Sequence, residues 1–350
     1  MSAWTGRPCG YKVSIETMKM KKFINKPENL VQELLEGFTL AYPDKVRLAG
    51  SKLVVRSSPK EQGKVGIVTL GGSGHEPGLS GFVGMGMLDI SVPGEIFAAP
   101  GAPRVLEAVQ MAERGAGVLM VVLNHPGDVL AAGVVMDFVK KQKLNLKMVL
   151  THEDIASGSK NQMDERRGLV GFLPVYKVAG AAAEEGGSLE AIVAIAERMS
   201  QSMRVLSVGA RTATHPSTGM ELSPLGDDEM EIGAGQHGET GSGRMKLLSA
   251  DETAEIMLQR LVDDLEVKSS ENLLVIVNGM GATTLMELFI VFRRTKQILD
   301  GKKIKIVRSL VGEYITAQEQ AGFQMFIARM DPELVRLWDA PCDTPYHVVR

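Results

Sequence analysis

Lys64-Val-Gly-Ile-Val-Thr-Leu-Gly-Gly-Ser-Gly-His-Glu-Pro77 is the stretch whose reading decides the fold. Its first half is an unbroken apolar run, the pattern of a strand buried on both faces. Its second half is a Gly-rich loop that presents one imidazole, His75, beside a carboxylate. Open α/β sheets place a ligand loop at the carboxyl end of a buried strand. The pairing recurs where Gly117-Val-Leu-Met-Val-Val-Leu123 runs into Asn124-His-Pro-Gly-Asp128, and again where Asn272-Leu-Leu-Val-Ile-Val277 runs into Asn278-Gly-Met-Gly-Ala-Thr-Thr284.

Outward from these strands the period changes to that of helices. Residues 25–37 place Leu30, Val31, Leu34 and Leu35 on one face, with Pro27 in the first turn. Further helices are expected near 104–114, 129–143, 173–185, 189–201, 250–265 (capped by Ser249 or Asp251) and 285–298. Shorter strands are expected within 46–55 and near 146–150, 203–209, 303–309 and 322–330. Residues 82–94 read as a loop with short structure, and Trp338-Asp-Ala-Pro341 as the close of the ordered chain. Repeated strand, loop and helix implies a mostly parallel sheet in the first half. The fold class is α/β: two α/β domains with mostly parallel or mixed sheets. The divisions are an N-terminal extension over 1–19, a first domain over 20–202 and a second over 203–350.

The bulk numbers narrow the class. With 350 residues, 44% hydrophobic and 23% charged, the chain has the profile of a globular protein of two ordinary domains. A net charge of −3 argues against a nucleic-acid surface as the main role. The two cysteines, Cys9 and Cys342, make no disulfide framework and fit a reducing compartment, so a cytoplasmic location is expected. No apolar run reaches the ~18 residues of a membrane span, and no Cys/His spacing indicates a structural zinc. The 20 methionines read as core filler.

The chemistry concentrates in Ile232-Gly-Ala-Gly-Gln-His-Gly-Glu-Thr-Gly-Ser-Gly243. His237 sits between glycines, with Glu231 and Glu239 nearby in the sequence. A neutral imidazole is a good nucleophile towards a ketone or a phosphoryl group, and a carboxylate fixes its tautomer. Either glutamate is suited to that task. His75 and His237 are expected to form two walls of one polar site. The loop at 71–77 is neither a Walker loop, since no Gly-Lys-Ser/Thr follows, nor a dinucleotide fingerprint. Asp128 is read both as a helix cap and as a residue facing the ligand crevice. His125 reads as a loop residue, His152 and His215 as surface or structural residues, and Asp164-Glu-Arg-Arg167 as a solvated charge run. Asn278 to Thr284 reads as a turn that packs two backbones closely.

In order along the chain, Gly72-Ser-Gly-His-Glu-Pro77, Asn124 to Asp128, Arg166-Arg-Gly168, the His237 loop, Asn278 to Thr284 with Glu287-Leu288, and Leu337-Trp-Asp-Ala-Pro341 resemble the dihydroxyacetone kinase family, specifically its dihydroxyacetone-binding subunit. The resemblance covers about residues 20 to 345. It implies that His237 binds the ketose carbonyl as a hemiaminal, while His75 and Asp128 assist proton transfer and activate the hydroxyl. Gly72, Ser73 and Gly74 would hold the substrate's hydroxyls. It implies a homodimer with no cofactor or metal site in this chain. ADP or ATP with Mg would sit on a separate helical nucleotide-binding subunit, recharged in one branch by a phosphotransferase-system phosphoryl donor protein. One loop departs from the family's Lys-Asn-Tyr-x-Gly-Asp, reading Leu123-Asn-His-Pro-Gly-Asp128. Loss of that lysine opens two alternatives: another ketose such as erythrulose, or a non-catalytic paralogue that senses dihydroxyacetone. A self-sufficient ATP enzyme is disfavoured by the missing nucleotide motif.

Overall fold

Leu119, Val121 and Leu123 point to one side of their strand, and Val118, Met120 and Val122 to the other, into separate hydrophobic cores. This is the period-2 geometry of a strand covered on both faces. The computed structural model describes residues 22–142, 144–237, 239, 241 and 243–350. The extension expected at 1–19 and Gly238 of the His237 loop lie outside them.

In chain order, α1 (Leu30–Ala41) leads into the hairpin of β1 (Val46–Ala49) and β2 (Leu53–Arg56), then β3 (Gly66–Ser73), β4 (Ile90–Ile96), α2 (Ala102–Ala112), β5 (Val118–Leu123), α3 (Pro126–Gln142) and β6 (Leu146–Thr151). These strands form one sheet in the order β1-β2-β4-β3-β5-β6. The pairings of β3 with β4 and β5, and of β5 with β6, are parallel, whereas β2 is antiparallel to both of its neighbours. β4 begins inside the region expected to be a loop with short structure and runs two residues past it. Pro93 and Gly94 interrupt its strand signal.

Two helices follow, α4 (Phe172–Glu184) and α5 (Leu189–Gln201). The second sheet then collects β7 (Met203–Arg211), β8 (Glu229–Ile232), β9 (Gly243–Lys246), β10 (Asn272–Gly279), β11 (Lys305–Gly312) and β12 (Ala321–Arg329), with α6 (Ala250–Leu265) and α7 (Leu285–Gly301) between them. Its order is β11-β10-β12-β7-β8-β9. Only β10 and β11 pair in parallel; the other pairings are antiparallel. Both sheets are therefore mixed. Ser249 caps α6 in a reciprocal box with Glu252, and Thr284 caps α7 with Glu287.

The layers alternate. Helices α2 and α3 cover the outer face of the first sheet, and α6 and α7 cover the outer face of the second. Between the sheets lies a core shared by α1, α4, α5 and α8 (Pro332–Asp339). Every residue of α4 from Phe172 to Ala183 is buried, including Lys177, whose Nζ donates to Leu337 O at 2.8 Å. After α8 the chain continues through β13 (Cys342–Asp343) and β14 (Val348–Val349), where Asp343 bridges Met85 of the first half. The sheets change over between Thr151 and Met203, but the last residues return to the first half. Among the described residues, no helix is long and apolar enough to cross a membrane.

Candidate functional site

The loop after β3 is held open by backbone geometry. Gly74 has φ +98°, and a Cβ there would fall 2.9 Å from the Phe97 ring. Ser73 Oγ donates to Gly94 O at 2.8 Å, Gly74 N donates to Glu76 Oε1 at 2.9 Å, and Gln318 Nε2 donates to Gly74 O at 3.0 Å. These bonds fix the turn that carries His75. Thr316 N donates to His75 O, and the His75 ring places Nδ1 2.7 Å from Thr316 O. Asn278 holds that second loop, receiving Tyr314 N and Ile315 N on Oδ1 and donating Nδ2 to Ile315 O. So the Asn278 turn serves His75 through Thr316.

The hairpin of β8 and β9 brings His237 to the same point. His237 Nε2 lies 2.8 Å from His75 Nε2, and the ring centroids are 4.8 Å apart. Glu239 receives His237 N on Oε2 at 2.7 Å and faces Nδ1 with Oε1 at 3.1 Å. Of the two glutamates, then, Glu239 orients the imidazole; Glu231 is buried and accepts Gly241 N instead. Phe97 packs against both rings at 5.0 and 5.6 Å.

Asp128 stands inside the first turn of α3 and is buried, with Oδ1 unpartnered. Its other oxygen lies 3.9 Å from where a Cβ on Gly71 would be, so it faces the start of the Gly-rich loop. Burial pushes its carboxyl up to about 7, opposed by the charge of His237. His75 is pushed down to about 3, first by burial and then by His237. At Glu239 burial acts against the charge, but the hydrogen bonds and charge of His237 hold the carboxyl well below the usual range.

Three residues read as bland in the sequence belong here. His125 is buried, its ring 5.2 Å from His237, and its Nε2 lies 2.9 Å from Gly168 O. A Cβ on Gly168 would meet Thr151 Oγ1 at 2.4 Å, so only glycine lets that carbonyl approach. Arg166 and Arg167 are not a solvated run. Arg166 is 1% exposed and forms a fork with Asp264, with Nη1 and Nη2 at 2.9 and 2.7 Å from its oxygens. Arg167 donates to buried Asp154 and to Gly233 O, which ties the His237 loop to the middle of the chain. The Arg-Arg-Gly run preceding an apolar helix was the available signal. Leu123, expected near substrate, packs in the core between the sheets. The His215 ring packs on Phe97 at 5.6 Å and accepts Ser217 N on Nδ1 at 3.2 Å.

A cavity of 430 Å³ opens on the other side of the 71–81 loop, between it, α1 and Tyr346. It shares Gly71, Gly72, Ser73 and Glu76 with the site but none of the imidazoles, so it is not where their chemistry occurs.

The Dak1 domain model matches residues 36–346 of this sequence. The chain belongs to the Dak1 family. This Dak1 chain is 36% identical to the dihydroxyacetone-binding subunit DhaK of PTS-dependent dihydroxyacetone kinase 1 from Listeria innocua, over 93% of this chain and 99% of that protein. It is also 36% identical to an L-erythrulose kinase of Pectobacterium atrosepticum, over 93% of this chain but 56% of that longer protein. Among solved structures, a dihydroxyacetone kinase operon co-activator superposes with a TM-score of 0.85 at 27% identity, over 91% of this chain and 98% of that one. The dihydroxyacetone kinase of C. freundii in complex with AMP-PNP and Mg2+ gives 0.84 at 27% identity, over 94% and 61%.

Proposed function

We propose that this chain is the substrate-binding subunit of a dihydroxyacetone kinase, holding a short-chain ketose on His237 for phosphorylation. The observation that carries this reading is the His75–His237 pair, joined Nε2 to Nε2 at 2.8 Å with Glu239 behind His237. The proton between the rings moves to His75, which frees the lone pair of His237 Nε2. That nitrogen bonds to the ketone carbon, and the carbonyl electron pair moves onto oxygen. His75 returns the proton to that oxygen, giving a hemiaminal hydroxyl. Glu239 balances the positive charge that the imidazole gains. Glycerol has no carbonyl and cannot make this bond.

Asp128 is the base for the hydroxyl that receives phosphate, since a buried carboxylate of raised pKa is a stronger proton acceptor. The nucleotide, ADP or ATP with Mg, belongs on a helical partner subunit. A phosphotransferase-system protein would recharge it, in line with the names of relatives at 36% and 34% identity. A homodimer and a cytoplasmic location are part of the same proposal. The ketose is dihydroxyacetone or a near analogue such as erythrulose, in line with the names of the relatives at 36% identity.

A second reading, a sensor of dihydroxyacetone without turnover, draws on the likeness to the operon co-activator. Phosphorylation assays with a nucleotide-binding subunit separate the two. The kinase reading predicts phosphorylated ketose, with turnover lowered at least ~100-fold in both His75→Ala and Asp128→Ala. Normal turnover in both variants would overturn the role assignments; no turnover by the wild type with any such subunit would leave the sensor.

A further inference from the structure

The hydrogen-bond order around His237 leaves one position that only a cation can fill. Thr316 O is an acceptor, so His75 Nδ1 carries a hydrogen. The neutral His75 ring then presents a lone pair at Nε2, and His237 Nε2 must donate across the 2.8 Å gap. A neutral His237 with its hydrogen on Nε2 has a bare lone pair at Nδ1. That atom faces the Glu239 carboxylate at 3.1 Å. Two acceptors at this distance require a positive species between them, either a proton or a metal ion.

We propose that His125, His237 and Glu239 form a site for a borderline divalent cation such as Zn2+, which replaces the proton between His237 Nδ1 and Glu239 Oε1. One ligand atom from each of the three residues lies within 4.8 Å of the others. The Nδ1–Oε1 separation of 3.1 Å is already close to the ligand–ligand edge set by metal bonds of ~2.1 Å. Two imidazoles and a carboxylate suit zinc or cobalt and leave a coordination position open.

The surrounding hydrogen bonds have the form of a metal site's outer shell. His125 spends Nε2–H on Gly168 O, which leaves its Nδ1 lone pair to give. His237 passes Nε2–H to His75, which passes Nδ1–H to Thr316 O.

A metal on Nδ1 acidifies Nε2–H less than a proton does, so that hydrogen passes to His75 less readily and attack on a carbonyl slows. Metal and ketose would therefore compete. That consequence rests on the proposed role of His237, whereas the metal site does not.

The test is titration of the metal-free chain with Co2+, read by its visible d–d absorption, with Zn2+ displacement by calorimetry. One Co2+ per chain is expected, weakened at least about tenfold in His125→Ala, His125→Tyr and Glu239→Gln and unchanged in His215→Ala. Circular dichroism identifies any variant that fails to fold, and the two His125 substitutions back each other. No stoichiometric Co2+ binding by the wild type, or wild-type affinity in the folded His125 variants, would overturn the proposal. A ketose adduct in metal-free protein is scored separately. Metal binding without an adduct fails the ketose reading alone, and an adduct without metal binding fails the metal site alone.

Discussion

Asp128 shows what a buried carboxylate does to stability. Its folded pKa, about 7, lies above the ordinary value of 3.8, so the folded chain holds this proton more tightly than the unfolded chain. The sign follows: the contribution to stability is full below about pH 4 and is lost as pH rises towards 7. At about 1.4 kcal/mol per pH unit, the ceiling on that loss is roughly 4 kcal/mol. Asp128→Asn, which cannot ionise, is predicted to be more stable than the wild type at pH 8 by on the order of 2 kcal/mol. At pH 5 the gap should fall to less than half of its pH 8 value, and thermal melts at both values check this. The residue scale was partly legible. His75, Asp128 and His237 declare themselves by glycine context and by position after strands. His125 did not, because its partners, Gly168 and His237, are far away in sequence. Nothing local distinguishes a buried imidazole from a loop one.

At the scale of elements, the His237 hairpin depends on one cross-link from the middle of the chain. Arg167 neutralises fully buried Asp154 and donates to Gly233 O, where the loop begins. Arg167→Met strands the Asp154 charge, and breaking a buried pair costs about 3–5 kcal/mol. Chemical denaturation should register that loss, and Asp154→Leu added to it should recover part. Full stability in the single variant would show that Asp154 is satisfied elsewhere. Long apolar strands and capped helices were legible because their signals are local: β3, β5, β10 and α6 lie close to where the sequence puts them. β4 was hidden by Pro93 and Gly94. β8 and β9, four residues each, are too short to show a period. The direction of pairing in the second sheet was not legible, since β12 inserts between β10 and β7 by contacts distant in sequence.

For the whole molecule, the core between the sheets decides the behaviour. Residues Leu119 and Val121 of the first sheet, Leu274 and Phe326 of the second, and Trp338 of α8 share one cluster around α4. Neither sheet keeps its inner face dry without the other. Calorimetry is therefore predicted to give one unfolding transition; two separated transitions would mean that the sheets fold independently. The site is built across the same junction, with His75 from the first sheet's loop held by Thr316 and facing His237 from the second sheet's hairpin. The most direct test of that arrangement uses dihydroxyacetone and erythrulose carbon-13 labelled at the ketone, followed by NMR on wild type and His237→Ala. The account predicts that the carbonyl signal of at least one ketose gives way to a hemiaminal carbon in the wild type and persists in the variant. An unchanged carbonyl signal for both ketoses in the wild type, or an adduct that survives His237→Ala, would contradict it.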